Sequence, residues 1–258
     1  MWGVVPPQFL MLNKKENVYW CPFLLNGDWH NVGYFEPEPV LKYIASQRNN
    51  DVEYLKCPAF QQYYANTFVI KSPVDLELKI EKNSDGKKIL VTKDFNQNFY
   101  NDHIFPRLAQ NTAFSMFSLE FSYIFYSKDS VTLEMLPANM EKTTFIKNTN
   151  LIPGEFDISK WIRPVSPAFE IVNDLEVLSI SRGDPLFYVR FKSDKKINLI
   201  RVEQDNIIES LEKACSRLKF FVPKNSLEEN YKAAQSMINL YKIKLFRKKC
   251  PFHFWTKK

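Results

Sequence analysis

The sequence predicts a mainly β protein: an antiparallel sandwich or jelly-roll-like barrel with a C-terminal αα-hairpin. Three observations carry that prediction. From Asp51 to about Ile200, short apolar and β-branched runs alternate with turn residues, and no long helical period interrupts them. Aromatic residues make up 15% of the chain, with 22 Phe, while Gly occurs 6 times; this favours a large, rigid core and disfavours a Gly-rich phosphate loop. Beyond residue 203 the apolar spacing lengthens to three and four residues, the period of a helix. The 258 residues are therefore expected to divide into a β domain over 1–202, with a short helix near 38–47, and a second part over 203–258. That second part is a helical hairpin with a basic-aromatic tail, packed on the β domain.

Taken in order, Val18–Cys21 is the first expected strand, and Asn26-Gly27-Asp28 is a turn. Glu36 to Ala45 reads as a short helix, with prolines in its first turn and Val40, Tyr43 and Ile44 facing inward. Val52–Lys56, Thr67–Lys71, Val74–Glu81 and Lys87–Lys93 follow as strands, the last two joined by a hairpin turn at Asn83-Ser84-Asp85-Gly86. Residues 94–111 show no period and are expected to form a long loop, a kind of segment that often carries function. Ala113 to Tyr126 has the strongest strand pattern, with Phe117, Leu119, Phe121, Tyr123 and Phe125 on one face. Val131–Leu136 is its expected partner across Ser127–Ser130. Gly154–Lys192 is the expected architectural centre: three strands, the later two flanking Ser181-Arg182-Gly183-Asp184-Pro185. Asp205 caps a helix with Ile208, Leu211, Cys215, Leu218 and Val222 inward, until Pro223 stops it. Ser226-Leu227-Glu228-Glu229 is a capping box, followed by an inward stripe of Leu227, Tyr231, Ala234, Ile238, Tyr241 and Leu245.

Net charge is +6 and unevenly spread. Residues 230–258 hold eight basic residues and no Asp or Glu, whereas residues 1–229 hold 27 basic against 29 acidic side chains. Lys242, Lys244, Arg247, Lys248 and Lys249 form a candidate basic contact surface, suited to nucleic-acid phosphates, an anionic membrane surface or an acidic protein. Phe252, Phe254 and Trp255 fit an aromatic clasp onto the body. No apolar run approaches the roughly 18 residues of a membrane-spanning helix. The opening MWGVVPPQFLMLNKKEN lacks the basic start of a signal peptide, so a cytoplasmic location with reduced thiols is expected. The 4 cysteines show no CxxC spacing. Cys21, Cys57 and Cys250 each precede proline, the dipeptide of haem-regulatory motifs; the expectation here is buried cysteine at strand ends that proline terminates.

Trp161, Arg163, Glu170 and Arg190 are the candidate ligand-pocket residues. Charged groups between such apolar strands need partners when buried, so these residues form either an ion-pair network or a ligand wall with Trp161 as stacking surface. No metal and no other cofactor is predicted. The 3 histidines, His30, His103 and His253, begin no His-x-Asp or His-x-Glu pair of the facial iron triad. The metal alternative is an assembled site of His30 and His103 with Asp102 or Glu36. The same scarcity leaves no Ser-His-Asp triad, and there is no GxSxG elbow. Glu120, Glu134, Glu155 and Glu170 are the carboxylates from which a glycosidase pair would be drawn. Arg182-Gly183-Asp184 reads as a turn in which Asp184 bonds backbone amides.

At Cys57-Pro58-Ala59-Phe60, Thr67–Pro73, Pro153–Trp161 and Arg182–Leu186 the chain resembles uncharacterised proteins of large tailed bacteriophages, over about the central three-fifths of its length. The resemblance implies a viral origin, in the host cytoplasm or associated with the virion, and brings no reaction with it. The Arg182–Pro185 turn is also similar to the Gly-Asp turns of cupin-type barrels, whose histidine motif is missing here. The expected role is a binding or assembly protein, with a protein partner or self-association, contacting through its tail and the 94–111 loop. The first alternative is an enzyme or small-molecule binder with a pocket inside the β domain; the second is nucleic-acid binding through the tail.

Overall fold

A computed structural model describes residues 15–23, 34–47, 53–82, 88–92, 104–108, 115–119, 123–173, 177–221 and 224–246. It is mainly β and sandwich-like, with a helix pair at its end. β1 (Lys15–Pro22) is followed by a two-residue β2 (Glu38–Pro39) that runs directly into α1 (Val40–Gln47). A 3-10 turn (Glu53–Lys56) and α2 (Pro58–Tyr63) lead to β3 (Thr67–Lys71), β4 (Leu76–Lys82) and β5 (Lys88–Thr92). Next come β6 (Ile104–Leu108), β7 (Ser115–Leu119), β8 (Tyr123–Ser127), β9 (Thr132–Pro137) and α3 (Thr144–Asn148). β10 (Thr149–Ile152), β11 (Gly154–Asp157), β12 (Pro164–Val165) and β13 (Ala168–Ile171) follow. β14 (Val177–Ile180), β15 (Pro185–Lys192) and β16 (Lys196–Arg201) close the β body. α4 (Asn206–Phe221) and α5 (Leu227–Phe246) form the hairpin.

The strands pair in four sheets, with orders β12-β8-β1-β16, β10-β13-β7-β6, β11-β9-β15-β3-β2 and β14-β4-β5. Among the described pairs, β1 beside β16 is parallel and the others are antiparallel. Alternation along each strand then sorts side chains between layers. Trp20 of β1, Phe125 of β8, Phe117 of β7, Phe169 of β13, Leu178 of β14 and Phe191 of β15 belong to one core shared by all four sheets. Intervening residues face outward into further layers. Cys21, Ile124 and Tyr126 pack against α4 and α5, whereas Val69 and Tyr188 pack against Val40, Tyr43 and Ile44 of α1. Helices therefore cover the outer side of the sheet holding β1 and β8 and that of the sheet holding β3 and β15, and β8 is buried along its whole length.

Gly154–Lys192 holds five strands rather than three, and it supplies at least one to every sheet. Its turn is fastened from both sides. Gly183 has φ +91°, a conformation that side chains rarely adopt. Gly183 N donates to Ser72 O at 2.8 Å, Arg182 N to Asp75 Oδ1 at 2.8 Å, and Ser181 N to Asp184 Oδ2 at 3.0 Å. Asp184 thus bonds a backbone amide as the sequence suggested.

Several expected elements differ. The single strand expected over 113–126 is two strands in separate sheets, because Phe117 and Leu119 of β7 and Tyr123 and Phe125 of β8 share one core while the hydrogen-bonding partners change from β6 and β13 to β1 and β12. β9 pairs with β15 and β11, so it is not the hairpin partner of β8. Of the strand expected over Val52–Lys56, Glu53–Lys56 forms a 3-10 turn instead and Val52 lies outside the described residues, while Pro58 starts α2 at its first position instead of ending a strand. Cys57 at that helix start is exposed, unlike buried Cys21 and Cys215, while Cys250 lies outside the described residues. The 94–111 segment contains β6, paired with β7. β4 and β5 pair as expected; their turn at 83–86 lies outside the described residues, as do 26–28, Val222 and Pro223.

Candidate interaction surface

The hairpin is held to the body by the residues whose spacing turns them inward. Asp205 Oδ1 accepts from Ile207 N at 3.0 Å and Ile208 N at 2.9 Å, which starts α4. Glu229 N donates to Ser226 Oγ at 3.3 Å and Ser226 N donates to Glu229 Oε2 at 2.7 Å, closing the box that starts α5. Ile208, Leu211, Cys215, Ala234, Ile238 and Leu245 are buried among Cys21, Phe23, Ile124, Tyr126, Trp161 and Ile162. Burial pushes the Cys215 thiol up to about 11, which makes it a core side chain and not a thiolate. At the far end of α5, Phe246 packs on Tyr19 and Tyr126 with ring centroids 5.5 and 5.8 Å away.

Asp157 makes the polar joint between body and hairpin. Its Oδ2 accepts from Ser130 Oγ at 2.6 Å and pairs with Lys160 Nζ at 3.1 Å. Its Oδ1 accepts from Ser159 N at 2.9 Å and Ser159 Oγ at 2.7 Å, and its own backbone N donates to Tyr231 Oη of α5 at 2.7 Å. Burial pushes the carboxyl up, but the bonds from Ser130, Ser159 and Lys160 outweigh it and hold it below its ordinary range. Trp161 sits against the same tyrosine, centroids 6.3 Å apart.

The outward side of the hairpin is chemically different. Lys213, Ala214, Arg217 and Leu218 of α4, with Ala233 and Met237 of α5, line a groove of about 480 Å³. Beside it Leu240 is 77% exposed and Met237 37%. Leu227, the first member of the expected inward stripe, is also exposed, at the first position of the helix. A polar recess of about 320 Å³ flanks the other side of α5, between Lys160, Glu228, Tyr231, Lys232, Gln235 and Asn239.

The four pocket candidates occupy different places. Trp161 is buried at 3% exposure in the layer beneath the hairpin. Arg163 follows it, its Nε donating to Pro164 O at 3.4 Å. Glu170 lies on β13, opposite Asn150 and Met116. Arg190 lies on β15, where Nε and Nη2 donate to Glu134 Oε2 at 2.9 and 2.6 Å. The Tyr63 ring lies 5.1 Å from its guanidinium. Glu134 stands directly across from Glu155 on β11, and Lys192 pairs with both. Two of the four candidate carboxylates are thereby part of an ion-pair ladder on one sheet face; Glu120 lies outside the described residues. His30, Asp102, His103 and His253 also lie outside them, and Glu36 pairs with Arg201 at 3.6 Å. Among the described residues, no group of three His, Cys, Asp or Glu is arranged to hold a metal, and no helix is long and apolar enough to cross a membrane. Of the basic surface, Lys244 is exposed on α5 and Lys242 belongs to the same helix, while Arg247, Lys248 and Lys249 lie outside the described residues.

The sequence reading passed over Met237, Leu240 and the α4–α5 groove. Their signal was present: both are apolar positions of α5 left over once the inward stripe is assigned. Comparison with protein-family models, curated proteins and solved structures finds no match to this chain.

Proposed function

We propose that the protein works by binding, as an assembly module whose contact surface is the outward side of the α4–α5 hairpin. The observation that carries this reading is the exposed apolar patch there, Leu240 at 77% and Met237 at 37% beside a groove of about 480 Å³. Large exposed apolar side chains next to a concavity are the mark of a docking site for another protein. The shared core lends support, since Phe117, Phe145 and Phe169 pack ring against ring within it, with centroids 4.8 to 6.4 Å apart. A role in a viral assembly agrees with the resemblance to tailed-phage proteins and would place the protein in the host cytoplasm or on the virion.

The test is association of the full chain, with itself and with proteins of its native extract, compared with Leu240→Lys and Met237→Lys variants. The expected result is a complex that both variants lose while their melting curves stay unchanged. A chain that associates with nothing, or a complex indifferent to both substitutions, defeats the proposal.

A further inference from the structure

The outward face of α5 also says what kind of partner fits it. Glu229, Ala233, Ser236, Met237, Leu240 and Lys244 are all exposed. Glu229, Ala233, Met237, Leu240 and Lys244 follow one another at steps of three and four residues, and Ser236 stands beside Met237, three residues after Ala233 and four before Leu240, so they form one stripe along the helix, distinct from the buried stripe of Ala234, Ile238 and Leu245. The order along this stripe is antisymmetric. An acid stands at its start and a base at its end, and small Ala233 in the first half is matched by large Leu240 in the second. Both pairs are centred on the same point, between Ser236 and Met237.

We propose that α5 is the two-fold interface of a homodimer, lying antiparallel along α5 of a second copy; this rests on the binding reading above. A two-fold contact requires a surface complementary to its own rotated image, and this stripe has that property. Leu240 of each copy covers the partner's Ala233, a large side chain over a small one. Met237 meets the partner's Ser236, and Lys244 reaches the partner's Glu229. Ser226 already donates twice to Glu229 Oε2, at 2.7 and 2.8 Å, and a carboxylate has lone pairs for a further ammonium. Ala233 and Met237 also line the α4–α5 groove, so the incoming helix lies beside Ala214 and Leu218 as well. A 20-residue helix is about 30 Å long. Such a contact belongs to the small end of specific interfaces and gives a concentration-dependent dimer. The competing occupant is an acidic helix of another protein, attracted by Lys213 and Arg217 on the groove rim.

The experiment is sedimentation equilibrium of the full chain, paired with a cysteine-mixing assay on a background with Cys57→Ser and Cys250→Ser. Wild type should dimerise, and Leu240→Asp should weaken the dimer by about tenfold or more without lowering the melting temperature. Chains carrying Ala233→Cys should form disulfides with chains carrying Leu240→Cys faster than either forms with itself. Faster self-pairing, or a dimer indifferent to Leu240→Asp, overturns the antiparallel arrangement. A monomeric wild type that still captures an acidic helical protein through Leu240 overturns the homodimer and leaves the binding reading standing. A monomer that captures nothing removes both.

Discussion

At the scale of single residues, Asp157 shows how one buried carboxylate joins two parts of the molecule. It is held ionised by Ser130, Ser159 and Lys160, and its backbone amide reaches Tyr231 of the hairpin. Its carboxyl titrates below the ordinary range in the folded protein. Its contribution to stability is therefore fully present above the unfolded carboxylate pKa and is lost as pH falls through the lower, folded value. Asp157→Asn should cost about 1–3 kcal/mol at neutral pH. The gap from wild type should close on acidification, read by urea unfolding along a pH series. A gap that stays constant into acid would show that the charge itself is irrelevant. The bonding of Asp184 in its turn followed from residue type alone, because an Asp beside Gly has few other uses. The bonding of Asp157 did not: Ser159 and Lys160 are its neighbours in the chain, but Ser130 and Tyr231 come from 27 and 74 residues away.

At the scale of elements, legibility followed length and capping. α4 and α5 announce themselves through Asp205, Ser226 and Glu229, side chains that satisfy the free amides of a first turn. Asp205→Ala leaves the amides of Ile207 and Ile208 without their acceptor. It should cost about 1 kcal/mol and show first as faster hydrogen exchange in the first turn of α4. Unchanged exchange there would mean the helix start is fixed by packing alone. α2 and α3 carry no comparable apolar stripe, and their 6 and 5 residues are too few to show a helical period. Thr143 does cap α3, accepting from Ile146 N at 3.3 Å, but a lone Thr in a polar stretch is a faint signal. α1 was readable because its three inward residues, Val40, Tyr43 and Ile44, are also its buried ones.

At the scale of the whole molecule, the β body and the hairpin share an apolar layer. Cys21, Phe23, Ile124, Tyr126, Trp161 and Ile162 are covered by α4 and α5. A chain ending at residue 202 would expose all of them, at roughly 1.5–3 kcal/mol for each large side chain. The shortened protein should bind a hydrophobic dye and lose its cooperative melting. A soluble fragment with a sharp transition would mean instead that the hairpin is an independent appendage.

The sequence alone determined the mainly β class, the helix pair, the caps and which side of most elements is apolar. These follow from period and local bonding, which act over a few residues. Tertiary structure alone decided the strand pairs other than the β4–β5 hairpin, that Phe117 and Phe125 serve different sheets, and that Arg190 meets Glu134 while Glu170 stands elsewhere. It also decided that Met237 and Leu240, apolar positions left off the inward stripe of α5, stay exposed, since that depends on whether another layer covers them. Period reports how deeply a side chain is buried. It carries no record of which distant strand lies alongside, because hydrogen-bonded pairing runs through backbone groups common to every residue.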